Sequence, residues 1–215
     1  MLKYYPLDKQ YLFELARFVV EENYNHHCGS NQLFNKEVDE VYLEELKLDN
    51  SKIFVSTDQY HSIVGSIRVS KWNGRETLPM QKLFNINIGN LRQNKNYSVW
   101  HIGRLAIKKG IDKKGFNVFK TLMVCAINEV CQNESCFALA ECDAKLLRVL
   151  KLLGIEAITL ADSIDYLGSE TIPVLLTYTG LKKFLDNNSH LLPQNMNSTR
   201  AWATLHQSVV FQATA

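Results

Sequence analysis

The stretch YSVWHIGRLAIKKGIDKKGFNVFKTLMVCAINEV, residues 97–130, decides the fold that this sequence predicts. Its first part, 97–107, is rich in β-branched, aromatic and aliphatic residues, which is typical of a strand. A charged loop follows. From about 116 to 132 the apolar residues recur every three or four positions and predict a helix with one buried face. Strand, loop and helix in this order form the first half of a βαβ unit.

The alternation continues beyond that helix. Cys136–Glu141 is predicted as a strand, and Ile155–Leu160 as another. Between them, Asp143 is placed to cap a helix that ends at Gly154. Strands separated by helices predict an α/β (α+β) chain with a mixed central sheet, arranged as a three-layer αβα sandwich.

The flanking segments complete a single predicted domain over residues 1–187, followed by a poorly defined C-terminal tail over 188–215. The other predicted elements are helices at 9–22, 35–47 and Leu181–Asn187, strands at Lys52–Ser56, Ile63–Ser70 and Thr171–Tyr178, and a long loop at 73–96. Pro173 favours an edge strand or a bulge. On helix 35–47 the residues predicted to form a solvated face are Glu37, Glu40, Glu44 and Glu45.

Composition excludes several classes of protein. The chain has 215 residues, 46% hydrophobic and 21% charged, with a formal net charge of +2, as is typical of a globular protein. The near-neutral balance argues against a nucleic-acid-binding protein. We expect neither a membrane span nor a secretion signal, because no apolar run fits either one. Five cysteines without zinc-type ligand spacing indicate reduced thiols, a cytoplasmic location and no metal site.

The loop before the long helix carries the first functional signal. Lys113, Lys114 and Gly115 stand just before the helix N-terminus, where unpaired backbone N–H groups and the helix dipole favour an anion. A phosphate-bearing group fits such a site. The residues alone leave open the alternative of an ordinary solvated basic loop.

Short motifs resemble one branch of a known superfamily. In chain order they are Val64–Arg68 (VGSIR), His101–Ile107 (HIGRLAI), Cys142–Arg148 (CDAKLLR) with Leu153-Gly154, and Tyr166–Gly168 (YLG) with Thr171–Val174 (TIPV). Their order and spacing resemble those of the acyl-homoserine lactone synthases and N-acyl amino acid synthases, a branch of the GNAT acyltransferases. The resemblance implies the GNAT (acyl-CoA N-acyltransferase) fold and transfer of an acyl group from a thioester.

The resemblance also implies a donor site. The donor is acyl-CoA or an acyl-phosphopantetheine on acyl carrier protein, with its pantetheine arm beside the strand Trp100–Ile107, where that fold separates two strands. The implied donor-binding residues are Leu105, Ala106, Ile107, Lys113, Lys114, Gly115, Phe116 and Asn117. The superfamily's pyrophosphate loop is degenerate here, because Gly115 alone matches it and Asp112 replaces a Gln or Arg. The lysines between 108 and 120 form either a docking surface for an acidic carrier protein or a solvated face.

The acceptor residues follow from the same resemblance. His101 stands where the branch has a Glu that takes a proton from the acceptor amine, and imidazole can do that work at neutral pH. Arg104 is implied as a catalytic residue, and Arg68 and Trp100 as acceptor-binding residues, with a substrate carboxylate bound by bidentate arginine pairing. The alternatives are a core histidine, arginines paired with the protein's own carboxylates, and a packing tryptophan.

The sequence therefore predicts an N-acyltransferase that acts on a small amine, with an amino acid as the implied acceptor. Lactone formation from S-adenosylmethionine is disfavoured. Of the N-terminal Arg, Phe and Trp set of the lactone synthases, only Arg17 and Phe18 lie near, and no Trp occurs before Trp72. The alternative is a catalytically inactive member that binds an acyl carrier or CoA as a sensor.

Overall fold

The computed structural model describes residues 2–27, 33–92, 96–112, 116–166 and 169–194. In these ranges the strands are β1 Lys3–Pro6, β2 Ser51–Thr57, β3 Ile63–Lys71, β4 Ser98–Ile107, β5 Cys136–Cys142, β6 Ala157–Thr159, β7 Ile164–Tyr166 and β8 Ser169–Thr177. The helices are α1 Leu12–His27, α2 Phe34–Leu46, α3 Pro79–Phe84, α4 Ile88–Leu91, α5 Asn117–Val130, α6 Ala144–Leu152 and α7 Tyr178–Asn188. No helix in the described ranges is long and apolar enough to cross a membrane.

The strands form an open mixed sheet. Its order is β1-β2-β3-β4-β5-β8-β6, and β7 pairs with β8 off this path. The pair β4–β5 is parallel and is joined by α5, as a βαβ unit requires. The pairs β1–β2, β5–β8 and β6–β8 are antiparallel. The predicted mixed α/β fold class is thus confirmed.

Two helix starts show how local sequence sets the boundaries. Asp8 accepts the backbone N–H of Gln10 and caps a short 3₁₀ turn, after which α1 begins and continues to His27, beyond its predicted end. Asp143 accepts the backbone N–H of Leu146 at 2.6 Å and caps α6, as predicted. That helix ends before Gly154, whose φ of 78° suits glycine.

The predicted loop at 73–96 contains two short helices, α3 and α4. Their residues Met80 and Ile88 are fully buried beside Val99 and Leu139. The sequence could not show them, because helices of six and four residues are too short to display a helical period.

Pro173 does not mark an edge strand, because β8 lies between β5 and β6. Its carbonyl accepts the N–H of Leu160 at 2.9 Å, so its nitrogen faces the same side of β8. On that side β6 pairs with residues 174–176 and β7 with 169–171. The proline nitrogen therefore falls between two strand partners, where its missing N–H removes no ladder hydrogen bond.

The chain divides into two compact units, of which the first comprises residues 1–68, 104–125 and 191–215. In its described part, α1 and α2 pack through Ala16, Val20 and Val38. Gly65 of the VGSIR motif lets α5 approach β3, since a Cβ there would lie 3.0 Å from Leu122. Close packing of α5 against β3 therefore explains why a glycine occupies this position of the motif.

The second unit comprises residues 69–103 and 126–190. Its core joins α3 and α4 to one face of β4 and β5, and its buried members are Leu78, Met80, Ile88, Val99, Phe137 and Leu139. The domain boundary at residue 187 stays a prediction, and most of the tail over 188–215 lies outside the described residues.

Candidate functional site

Strand β4 supplies the second unit with a buried histidine, His101, which is 1% exposed. Its Nε2 lies 2.8 Å from Oε2 of Glu141, whose side chain is 15% exposed. An ionised carboxylate only accepts hydrogen bonds, so the imidazole donates from Nε2. We call these two residues the His101–Glu141 pair.

The pair lies where two strands stop pairing. The parallel β4–β5 register runs from Ser98↔Cys136 to His101↔Leu139, although both strands continue. Glu141 stands two residues beyond that last pair. Since side chains alternate along a strand, it shares a face with Leu139, which packs under α3 and α4.

In the first unit, Arg68 of β3 and Arg104 of β4 are bound to the same carboxylate of α2. Nη1 of Arg68 and Nε of Arg104 each donate to Oε1 of Glu45 at 2.8 Å. The Glu45 side chain is fully buried. A second group of Arg104, Nη2, donates to Glu44, whose side chain is 62% exposed. We call these four residues the arginine–glutamate cluster.

The predicted solvated face of α2 is thus wrong for Glu45. Two guanidinium groups neutralise its buried charge, which is the condition under which a carboxylate is tolerated in a protein interior. The carboxylates of Glu45 and Glu44 also change the pKa of Arg104. Burial by itself lowers its pKa, but the charges and hydrogen bonds of Glu45 and Glu44 raise the pKa of Arg104 above its usual value.

Arg104 also has an unusual backbone. Its φ is 52°, in the left-handed region that a side chain other than glycine's rarely adopts. The hydroxyl of Ser66 donates to its carbonyl at 2.8 Å and helps to hold this conformation. Residues kept in such regions concentrate at functional sites, where the surrounding contacts fix them.

The predicted donor residues are only partly described. Leu105, Ala106 and Ile107 are half-buried at the end of β4, whereas Lys113, Lys114 and Gly115 lie outside the described residues. Phe116 is 44% exposed with φ 55°, and Asn117 begins α5. The N–H of Phe119, in the first turn of α5, donates to Asp112 Oδ2 at 3.0 Å. The protein's own carboxylate therefore occupies an amide that a phosphate could otherwise use.

An open groove of about 390 Å³ lies along α6 in the second unit. Its lining residues are Ala144, Leu147, Arg148, Lys151, Leu152 and Ile172. Lys145, Arg148 and Lys151 are exposed at helical spacing, and none forms an ion pair with a residue in the described ranges. This helix therefore presents apolar and uncompensated cationic side chains together.

The structure places the predicted acceptor residues in separate settings. Arg68 and Arg104 are brought together by Glu45, and His101 belongs to the His101–Glu141 pair. Trp100 is half-buried, with the ammonium of Lys71 5.9 Å from its ring centroid. Within the described residues, no group of three or more His, Cys, Asp or Glu side chains is placed to bind a metal ion.

Sequence reasoning missed Glu45 and Glu141. Glu141 has a signal in the sequence, since it is the one charged residue of the strand CFALAEC. A carboxylate in an otherwise apolar strand requires a partner. Glu45 has a weaker signal, because two arginines in apolar strands require carboxylates but do not say which ones.

Comparison with known proteins agrees with this architecture. The model of the N-acyl amino acid synthase FeeM family matches residues 19–177. No curated protein matches the sequence. The solved structure of FeeM, an N-acyl amino acid synthase from uncultured soil microbes, has a TM-score of 0.64 at 12% identity, over 88% of this chain and 98% of that chain.

Two further structures are similar in fold. BjaI, a CoA-dependent acyl-homoserine lactone synthase solved with SAM and isopentyl-CoA, has a TM-score of 0.57 at 12% identity, over 96% of this chain and 100% of that chain. A protein assigned to the GNAT acetyltransferase family from Desulfovibrio desulfuricans has a TM-score of 0.54 at 12% identity, over 83% and 99%. These likenesses confirm the predicted GNAT-type fold.

The chain belongs to the N-acyl amino acid synthase FeeM family, whose model covers more than half of it. The predicted resemblance is thus confirmed, and so is the predicted enzyme class, an acyltransferase.

Proposed function

We propose that this member of the FeeM family transfers an acyl group from a thioester to the amine of a small molecule, with an amino acid as the acceptor. The family match over residues 19–177 carries the proposal. The matched range includes both the His101–Glu141 pair and the arginine–glutamate cluster. Each offers chemistry that such a transfer needs, namely proton acceptance and recognition of a carboxylate.

Arg104 is the arginine better suited to an amino acid carboxylate. Its side chain is 20% exposed, and its Nη2 contacts Glu44, whose side chain is largely in solvent. A substrate carboxylate can replace Glu44 there with one exposed rotamer change. Arg68, whose side chain is 6% exposed and held by Glu45, instead positions that carboxylate and Arg104. Trp100 remains a proposed acceptor-binding residue.

The proposed reaction is aminolysis of a thioester. The amine nitrogen attacks the thioester carbonyl carbon, the new C–N bond forms, and the surplus proton on nitrogen goes to the His101–Glu141 pair. The C–S bond then breaks and the sulfur leaves as a free thiol after it receives a proton. A positioned proton acceptor typically contributes about 10²–10⁴-fold to such a step.

An acyl carrier protein is the donor that this chain favours over acyl-CoA. Asp112 places a negative charge and a hydrogen-bond acceptor at the first turn of α5, where the superfamily binds the pyrophosphate of CoA. The cations on α6, Lys145, Arg148 and Lys151, are uncompensated within the described residues and complement an acidic carrier. Both features favour a donor that arrives on a protein surface.

The experiment that tests the function measures thiol release and donor binding. Purified protein is incubated with short-, medium- and long-chain acyl thioesters of CoA and of acyl carrier protein, with and without a mixture of amino acids. We expect amine-dependent thiol release, which removal of both members of the pair, in a His101→Ala and Glu141→Gln double variant, lowers by about 100-fold or more while donor binding is kept. Donor binding without any turnover supports the inactive sensor instead, and neither turnover nor binding contradicts both.

A further inference from the structure

We infer that the proton acceptor of the proposed reaction is the carboxylate of Glu141, supplied by β5, and that His101 of β4 positions it. The inference rests on the proposed function and names the group that works within it. It departs from the sequence-based prediction, in which the imidazole itself takes the proton. The catalytic carboxylate is retained in this chain but stands on the neighbouring strand.

Accessibility distinguishes the two members of the pair. His101 is 1% exposed, and its Nε2 is directed at the Glu141 carboxylate. A group that takes a proton from a substrate must come within hydrogen-bond distance of it. The Glu141 side chain is 15% exposed and is therefore the more accessible member of the pair.

Strands β4 and β5 stop pairing beside Glu141. Pairing between β4 and β5 ends at His101↔Leu139, and Glu141 follows on the same face of β5 as Leu139. The next β4 residue on the face of His101 is Gly103, which has no side chain. In the proposed reaction the amine approaches Glu141 at this separation of the two strands, on the side of Gly103.

The imidazole has a defined task in this arrangement. Its Nε2–H donates to Oε2 of Glu141 at 2.8 Å, which fixes the rotamer of the carboxylate. The amine proton passes to the carboxylate as the C–N bond forms. The resulting carboxylic acid returns that proton to the sulfur as the C–S bond breaks, so the pair ends each cycle in its starting state.

Three variants of the full chain test the assignment by kcat and by the KM of the acyl donor. Glu141→Gln keeps the shape of the side chain and removes its basicity, so we expect kcat to fall by about 100-fold or more with the donor KM unchanged. His101→Gln retains the carboxylate and loses less. Glu156→Gln is the matched control, because the Glu156 carboxylate lies in the same unit and accepts a hydrogen bond from Thr177. We expect this variant to leave kcat unchanged.

Chemical rescue separates a proton acceptor from a structural residue. Sodium formate, a small free carboxylate, should raise the turnover of Glu141→Ala and leave that of Glu156→Ala unchanged. Rescue is not expected if Glu141 merely holds the fold. If Glu141→Gln unfolds below the assay temperature, Glu141→Asp is measured instead. Aspartate keeps the negative charge but moves the carboxylate back by one methylene, so kcat should fall by about tenfold or more.

The outcomes are distinct. A larger loss in His101→Gln than in Glu141→Gln, or no rescue of folded Glu141→Ala by formate, overturns the inference while leaving the acyltransfer proposal standing. Wild-type protein that releases no thiol from any donor contradicts the proposed function itself. Loss in Glu141→Gln together with formate rescue supports both.

Discussion

The His101–Glu141 pair and the arginine–glutamate cluster both include a residue of β4, and the two residues are only three positions apart. In the cluster, two carboxylates face two guanidinium groups, and the shared Glu45 side chain is fully buried. In the pair, one partly exposed carboxylate contacts one buried imidazole. The buried carboxylate of the cluster is thus compensated by two guanidinium groups, whereas the carboxylate of the pair is partly exposed and contacts an imidazole.

The difference indicates what each buried polar group does. Full compensation of charge suits a framework that must keep one geometry, because removing one partner leaves a buried ion unpaired. Partial compensation suits a group that must change its protonation in each cycle. Buried charge alone therefore does not identify a catalytic residue, and the exposure and chemistry of its partner must be considered.

The largest expected effect on stability tests the structural role of the cluster. Glu45→Gln removes the buried charge that accepts from both Arg68 and Arg104, so we expect the free energy of unfolding to fall by about 3–5 kcal/mol. Urea denaturation followed by circular dichroism measures this fall. Glu141→Gln, measured in the same way, should lose far less.

The control for that prediction is the neighbouring residue Glu44. Its side chain is largely in solvent, so Glu44→Gln should cost no more than about 1 kcal/mol. Equal losses of stability in Glu45→Gln and Glu44→Gln would show that the burial of Glu45 does not add to its contribution. The cluster would then be an ordinary surface ion-pair network.

A smaller effect concerns Asp112 at the start of α5. Asp112→Ala removes the acceptor of the Phe119 N–H, so the protein should lose about 1 kcal/mol of stability, as for other helix caps. The same change removes a negative charge from the helix N-terminus, so CoA should bind more tightly. Thermal unfolding and isothermal titration with CoA measure the two effects.

Asp143 is the matched control for Asp112. It caps α6 through Leu146, so Asp143→Ala should cost a similar amount of stability without changing CoA affinity. Weaker or unchanged CoA binding in Asp112→Ala would remove the argument that this carboxylate disfavours a CoA donor.

The last prediction concerns the reactivity of two thiols of β5, Cys136 and Cys142. Burial raises the pKa of Cys142 to about 12, with a further contribution from the charges of Glu141 and Asp143, and burial raises the pKa of Cys136 to about 11. Both thiols therefore stay protonated at neutral pH. Iodoacetamide reacts only with the thiolate form of cysteine, so it should not modify them. Mass spectrometry should find them unlabelled in native protein and labelled after denaturation. Labelling of native Cys142 would mean that solvent reaches this thiol, contrary to its burial in β5.

Much of the fold is predictable from the sequence, because long periodic segments and capping residues carry their own signal. The helix at 117–130 follows from periodicity, the strand at 98–107 from its β-branched and aromatic composition, and α6 from Asp143 and Gly154. The helices α3 and α4 do not, because too few residues repeat. The edge-strand interpretation of Pro173 is wrong, since local sequence cannot show where neighbouring strands end.

The candidate site is predictable only in part. The motifs locate His101, Arg68 and Arg104, but their partners lie 23 to 60 residues away in sequence. Such pairings depend on sheet register and on the docking of α2, which no local pattern specifies. Glu45 resembles the exposed glutamates around it, and Glu141 is recognisable only as a charge within an apolar strand.

The central claim is that this chain joins an acyl group to an amine. Mass spectrometry of the product, with an isotopically labelled amino acid mixture and acyl carrier protein thioesters as donors, tests it most directly. We predict a labelled amide that appears with wild-type protein and is reduced about 100-fold or more with Glu141→Gln. Thioester loss as free fatty acid, with no label in any acylated product, would contradict the claim.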